Sequence, residues 1–256
     1  MNAWSADSTY AYYARLLQTL KSKYSAWRFR DAAAGVAAPG LRVFLRHDVD
    51  VSLRHAVRMA ELEHEAGLAS TFMILSGAAM YALKDAAPQA TLRRLVALGH
   101  EVGLHFDCPE SIRTSPADPS TLEASIAASC APIEDILGEP VRSLSFHRPL
   151  PWLLRGPITI GGRINAYAAE LMAWYLSDSK GSWREGEPLP MIEHPRGSLL
   201  QLLTHPIWWG QEQRDGPERL EEFLREETTG ATPAQAAGLR RRLAETLPGV
   251  ELRKPS

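Results

Sequence analysis

Short apolar runs of strand length recur from residue 41 to residue 205, each followed by a polar cluster and then by a helical pattern. Residues 41–46 read as a strand. Ser52 is then placed to cap a helix carrying Val57, Ala60, Leu62 and Ala66, which Gly67 can end. Residues 69–75 (ASTFMIL) form the next expected strand, 91–98 a helix closed by Gly99, and 100–106 (HEVGLHF) a strand that runs into a polar loop. A helix is expected from Pro119 to about Leu137, kinked or split where Pro132 removes a backbone donor. Strands at 141–147, 174–179 and 198–205 follow, with a Gly/Pro-rich stretch at 149–162 and a helix around 164–173 in between.

Two segments flank this alternation. Residues 8–29 carry Tyr12, Leu16, Leu17, Leu20, Tyr24 and Trp27 at helical spacing, and the loop AAAGVAAPG at 32–40 separates them from the first strand. From 211 to 256 the chain is charged and helical. Because a parallel strand connection needs a long crossover, the alternation predicts an α/β fold. The expected form is a distorted or incomplete (β/α) barrel of parallel strands with outer helices, a single domain over 1–256 with its core at about 41–206.

Composition narrows the functional classes. The chain has 256 residues, 45% hydrophobic and 23% charged, and a formal net charge of -2, so no global attraction to nucleic acid or anionic membrane is expected. No run of 18 apolar residues suggests a transmembrane segment, and the first residues lack the basic and apolar regions of a signal peptide, so a cytoplasmic location is expected. Cys108 and Cys130 are too few for a disulfide framework and are not spaced as a metal motif; both read as free thiols.

Strand ends carry the candidate chemistry, because in such folds the reactive groups gather at the C-terminal ends of the strands. His47, Asp48 and Asp50 end the first strand, His105 and Asp107 another, and His147 and Arg148 a third; Asp178 and His205 end two more. Carboxylates and imidazoles crowded at one barrel mouth must be paired, protonated or metal-bound. An aspartate oxygen with neutral imidazoles suits zinc and is tolerable for other first-row divalent metals. Asp48 and Asp50, two apart, face one side if the strand geometry persists, so one can bind metal while the other stays a base. His55, His64 and His100 lie away from the strand ends and read as solvent-facing or structural.

At these residues the sequence resembles the polysaccharide deacetylases (NodB-homology, or carbohydrate esterase family 4, proteins), which have a distorted (β/α) barrel and hydrolyse N-acyl groups on amino sugars. RHDVD is similar to a variant of the family's first motif, ASTFMIL to its second strand, and LGHEVGLHF to its Gly-His-Glu stretch. SFHRP, SDSKGSW and LLTHP stand where the arginine-proline, aspartate-tryptophan and leucine-histidine motifs stand. The resemblance implies Asp48 as catalytic base, Asp50 and His105 as metal ligands, Arg148 as the group that orients the base, and His205 as general acid. It places Asp178 and Trp183 in the substrate pocket, while Trp208 and Trp209 either stack on a sugar face or close the barrel mouth.

One position departs from that pattern. The family's second metal histidine falls at Pro109, so the third ligand is expected from His147, with Asp107 and His47 as the other candidates. The implied function is a metal-dependent hydrolase removing an acetyl or formyl group from an amino sugar; without an export signal, a small or glycan precursor is expected rather than a wall polymer. The alternative is an inactive barrel that binds a glycan or protein partner through Trp152, Trp183, Trp208 and Trp209. A phosphohydrolase built on the His47-Asp48 pair is disfavoured, because that chemistry uses an all-helical scaffold and this pair follows a strand.

Overall fold

The computed structural model describes residues 7–34, 39–114 and 118–253. Helix α1 (Tyr10–Lys23) is capped by Thr9, whose hydroxyl accepts from the Tyr12 amide, and it buries Tyr13, Leu16, Leu17 and Leu20. Three more residues, β1 (Ser25–Trp27), form a strand within the stretch expected to be helical. Part of the loop expected at 32–40, residues 35–38, lies outside the described residues.

The alternation follows: β2 (Arg42–Val49), α2 (Leu53–Ala66), β3 (Thr71–Leu75), α3 (Ala86–Ala97), β4 (Glu101–Asp107), α4 (Glu110–Thr114), α5 (Pro119–Leu137) and β5 (Ser143–His147). Then come β6 (Thr159–Ile160), β7 (Arg163–Asn165), β8 (Tyr175–Ser177), α6 (Pro188–Glu193), β9 (Leu199–Thr204), α7 (Gly216–Glu227) and α8 (Pro233–Thr246). Ser52 and Gly67 bound α2 as expected, with Gly67 left-handed at φ 72°.

The strands run in the order β6-β7-β5-β4-β3-β2-β9-β8 in one sheet that curls into a half-barrel. All pairings are parallel except the β6–β7 hairpin. β1 pairs with Arg42–Phe44 and β3 with Arg46–Val49, so these two share one edge of β2 while β9 takes the other. Every residue of β2 is buried, as a central parallel strand covered on both faces requires. No helix among the described residues is long and apolar enough to cross a membrane.

Two expectations are corrected. β2 continues to Val49, so His47 and Asp48 belong to the strand instead of following it. The helix expected around 164–173 is replaced by β7 and tight turns: the Asn165 amide donates to the Pro157 carbonyl and its oxygen accepts from the Tyr167 amide, fixing a turn where helical bonds would start. Pro132 lies inside α5, which continues past it without being split.

The C-terminal extension belongs to the same core. Leu220, Phe223 and Leu224 of α7 pack in one apolar cluster with Tyr13, Trp208 and Trp209. Gly210 is required there, since a Cβ would fall 2.1 Å from the Arg219 guanidinium, which is buried and donates to the Trp208 and Glu212 carbonyls.

Candidate active site

The two-residue period of β2 sends Arg46 and Asp48 to the barrel interior and His47 to the helical layer. Arg46 is fully buried and forks onto Asp48, its Nε 2.8 Å from Oδ1 and its Nη2 2.7 Å from Oδ2. Its Nη1 donates to Gln201 Oε1 at 3.1 Å, and its guanidinium lies over the Tyr167 ring. Burial pushes the Asp48 carboxyl up, but Arg46, aided by His105 and His205, outweighs it and holds the group below its ordinary value of 3.8.

Asp50 follows the strand and faces two imidazoles. Its Oδ1 lies 3.1 Å from His105 Nε2 and 3.5 Å from His147 Nδ1, yet this buried oxygen has no hydrogen-bond partner. Donor atoms about 2.1 Å from one tetrahedral ion stand about 3.4 Å from one another; both separations from Asp50 Oδ1 match this, and all three donor atoms lie within 4.8 Å of one another. His105 Nδ1 is 2.6 Å from Ser145 Oγ, and that hydroxyl makes a long contact, 3.4 Å, with Asp48 Oδ1. If Ser145 donates to Asp48 it accepts from Nδ1–H, which leaves the His105 Nε2 lone pair aimed at a carboxylate oxygen. Two acceptors at that distance are bridged either by a proton or by a metal cation, and the Asp-His-His donor set fits a divalent metal. Burial pushes Asp50 up, and the charge and hydrogen bonds that His105 and His147 offer it when protonated outweigh that, so without a metal the carboxyl stays well below the usual range.

His147 comes from β5 and His105 from the adjacent β4, where Asp107 is registered against His147. Of the three candidates for the third position, the fold thus brings His147 to Asp50. His47 points the other way, its Nδ1 2.7 Å from Thr204 Oγ1 and its Nε2 2.6 Å from Glu63 Oε1. Glu63, buried on α2, also accepts from Tyr13 and Ser70. This outer network ties β2 to α1 and α2 directly behind Asp48.

His205 closes the pocket from the end of β9. Its Nδ1 is 2.7 Å from Asp178 Oδ1, and Asp178 also accepts from the His205 amide and from Trp209 Nε1. Burial pushes the imidazole down, but Asp178, with Asp50 and Asp48 behind it, raises it to about 9. His205 Nε2 is left without a hydrogen-bond partner among the described residues.

Asp48, Asp50, His105, His147, His205 and Trp208 line one pocket of about 610 Å³. Arg148 lines it too, but pairs with Asp107; the guanidinium on Asp48 is that of Arg46. This corrects the sequence expectation, and the signal was present: Arg46 is two residues before Asp48 and shares its face of the strand. Asp178 does not line the pocket, because its oxygens are taken up by His205 and Trp209. Trp183 is buried in the apolar core instead of facing substrate. A larger cavity of about 910 Å³ lies below the start of β5, lined by Arg30, Arg142 and Arg163 among others, and has no histidine or cysteine on its walls.

No family model matches the sequence, and no curated protein does. Among solved structures, the chain is similar to a CE4 esterase from Streptococcus mutans, at 13% identity over 86% of this chain and 89% of that one, with a TM-score of 0.49. It is similar to IcaB from Ammonifex degensii, at 18% identity over 55% and 68% of the two chains, TM-score 0.41. A CE4 family pseudoenzyme from Bacillus anthracis is similar at 14% identity over 82% of this chain, TM-score 0.40, and there the match spans 62% of the other chain, under two thirds of its length. In structure, the chain is thus similar to CE4 family proteins that include both an esterase and a pseudoenzyme.

Proposed function

We propose that the protein is a metal-dependent hydrolase that removes an N-acyl group, acetyl or formyl, from an amino sugar or sugar precursor. The observation that carries this reading is the convergence of His105 Nε2 and His147 Nδ1 on the unbonded Asp50 Oδ1, with Asp48 and His205 on the same pocket. Asp50, His105 and His147 would hold the ion, zinc being suited to that set. When bound, a divalent metal supplies Lewis-acid polarisation of the amide carbonyl and lowers the pKa of water from about 15.7 toward about 7.

The chain's own groups do the proton work. Asp48, kept ionised by Arg46, accepts a proton from the attacking water. His205, kept protonated by Asp178, faces the pocket with an unpartnered Nε2 and donates to the leaving nitrogen as the carbon–nitrogen bond breaks. The products are a carboxylic acid and a free amine. Ser145 fixes the His105 ring through Nδ1, and Tyr167, Tyr175 and Trp208 wall the pocket against bulk water.

The experiment is release of acetate or formate from N-acetylated and N-formylated amino sugars, with and without a chelator. Turnover should stop on chelation and return with added zinc, and Asp48→Asn should abolish it with metal still bound. Full turnover by verified metal-free protein would sink the proposal.

A further inference from the structure

The pocket carries positive charge at its mouth that the hydrolytic chemistry does not use. Arg148, Lys180 and Arg184 all line it, and Glu185 is the single carboxylate among the lining residues outside the catalytic set. Lys180 and Arg184 are exposed and form no hydrogen bond or ion pair among the described residues. Deeper acidic groups do not need them: Arg46 neutralises Asp48, His205 accompanies Asp178, and Asp50 faces His105 and His147. Asp107 is shared by Arg113 and Arg148, so that corner also keeps a net positive charge.

The backbone bears on the same point. Lys180 has φ 61° and ψ 28°, and Arg148 has φ 51°, both in the left-handed region that favours glycine. Two of the three non-glycine residues with positive φ among the described residues therefore sit on this pocket's wall. A side chain there is strained, and surrounding structure must hold it in place. The Lys180 turn is held: the Gly181 amide donates to the Asp178 carbonyl, the Ser179 amide to Ser177 Oγ, and Gly181 lies against the Trp208 ring. Lys180 thus rides on the residue that fixes His205. The facing wall is the segment after α8: Leu247, Pro248 and Val250 line the pocket, and Lys180 Nζ lies beside Gly249.

We propose that the amide substrate is anionic, and that Lys180 and Arg184 bind its phosphate or carboxylate group at the pocket mouth; this rests on the hydrolase reading above. Two unpaired cations on the wall of one pocket favour a charged small molecule or chain end over a neutral one.

Calorimetric titration of the zinc-loaded protein tests this. The probes are N-acetylglucosamine, its 1- and 6-phosphates, and N-acetylmuramate, with acetate release followed in parallel. At least one charged probe should bind about tenfold or more tighter than the neutral sugar, and whether it is a phosphate or the carboxylate identifies the source of the anion. Lys180→Gln and Arg184→Gln should each weaken that probe about fivefold and the double variant more, with neutral-sugar binding unchanged and the preference shrinking as salt is raised. Equal binding of charged and neutral probes, no binding of any charged probe at millimolar concentration, or a preference that survives in the double variant overturns the proposal. A cation-dependent preference without acetate release keeps the anion site and removes the hydrolase reading; release without the preference does the reverse.

Discussion

Replacing Arg46 by methionine removes the guanidinium on which Asp48 depends while keeping an unbranched side chain in the same space. Both lost bonds to Asp48 are short, at 2.7 and 2.8 Å, and both partners are buried. Breaking a buried pair from one side costs about 3–5 kcal/mol, because the remaining charge is left uncompensated. Gln201 Oε1 also loses its donor, a further cost of about 1 kcal/mol. The pH dependence has a definite sign. Wild-type Asp48 titrates below its ordinary value of 3.8, so its stabilising contribution is present above that pH and is lost as pH falls through the folded-state value. In the variant burial is opposed less, the carboxyl titrates higher, and the stability deficit is largest near neutrality and shrinks on acidification. Urea unfolding of both proteins between pH 4 and 8 measures this, and the acid limb of the hydrolysis profile should move to higher pH in the variant. A deficit under about 1 kcal/mol at pH 7, or one that grows as pH falls, refutes the reasoning.

Other perturbations isolate other parts. Asp178→Asn removes the carboxylate that raises His205 to about 9, so the protonated imidazole is lost at lower pH and the alkaline limb of kcat/KM moves toward neutrality. Glu63→Ala strips His47, Tyr13 and Ser70 of their common acceptor, and urea unfolding should show a loss of about 3–5 kcal/mol. Gly103→Ala places a Cβ 2.6 Å from Met73 Sδ and Ser143 Oγ, two residues before His105 on β4, and thermal unfolding should show destabilisation of about 1–3 kcal/mol.

The strands that build the site were legible because buried parallel strands are runs of apolar residues: β3, β5 and β9 fall inside the expected stretches, and β4 runs one residue past its own, to Asp107. The end of β2 was not, because His47 and Asp48 look like the polar residues of a loop. Arg46 and Asp48 pair with each other across two residues, and the other partners lie far along the chain: Gln201 for Arg46, Thr204 and Glu63 for His47, and Ser145 for Asp48. Such partners have no trace in the local pattern. The stretch at 164–173 misled for the opposite reason. Its alanines, leucine and methionine favour a helix intrinsically, but the Asn165 side chain and pairing of β7 to β5 impose a strand and turns. The gap left by Pro109 pointed to a substituted ligand, and β4–β5 pairing accounts for why His147 stands at Asp50.

Metal stoichiometry tests the central claim most directly. Purified protein stripped of metal and dialysed against zinc should bind one ion per chain tightly, and Asp50→Ala, His105→Ala and His147→Ala, each checked for native circular dichroism, should lose that binding, while Asp48→Asn retains it. Stoichiometric zinc in a folded His147→Ala protein, or none in the wild type, would contradict the account.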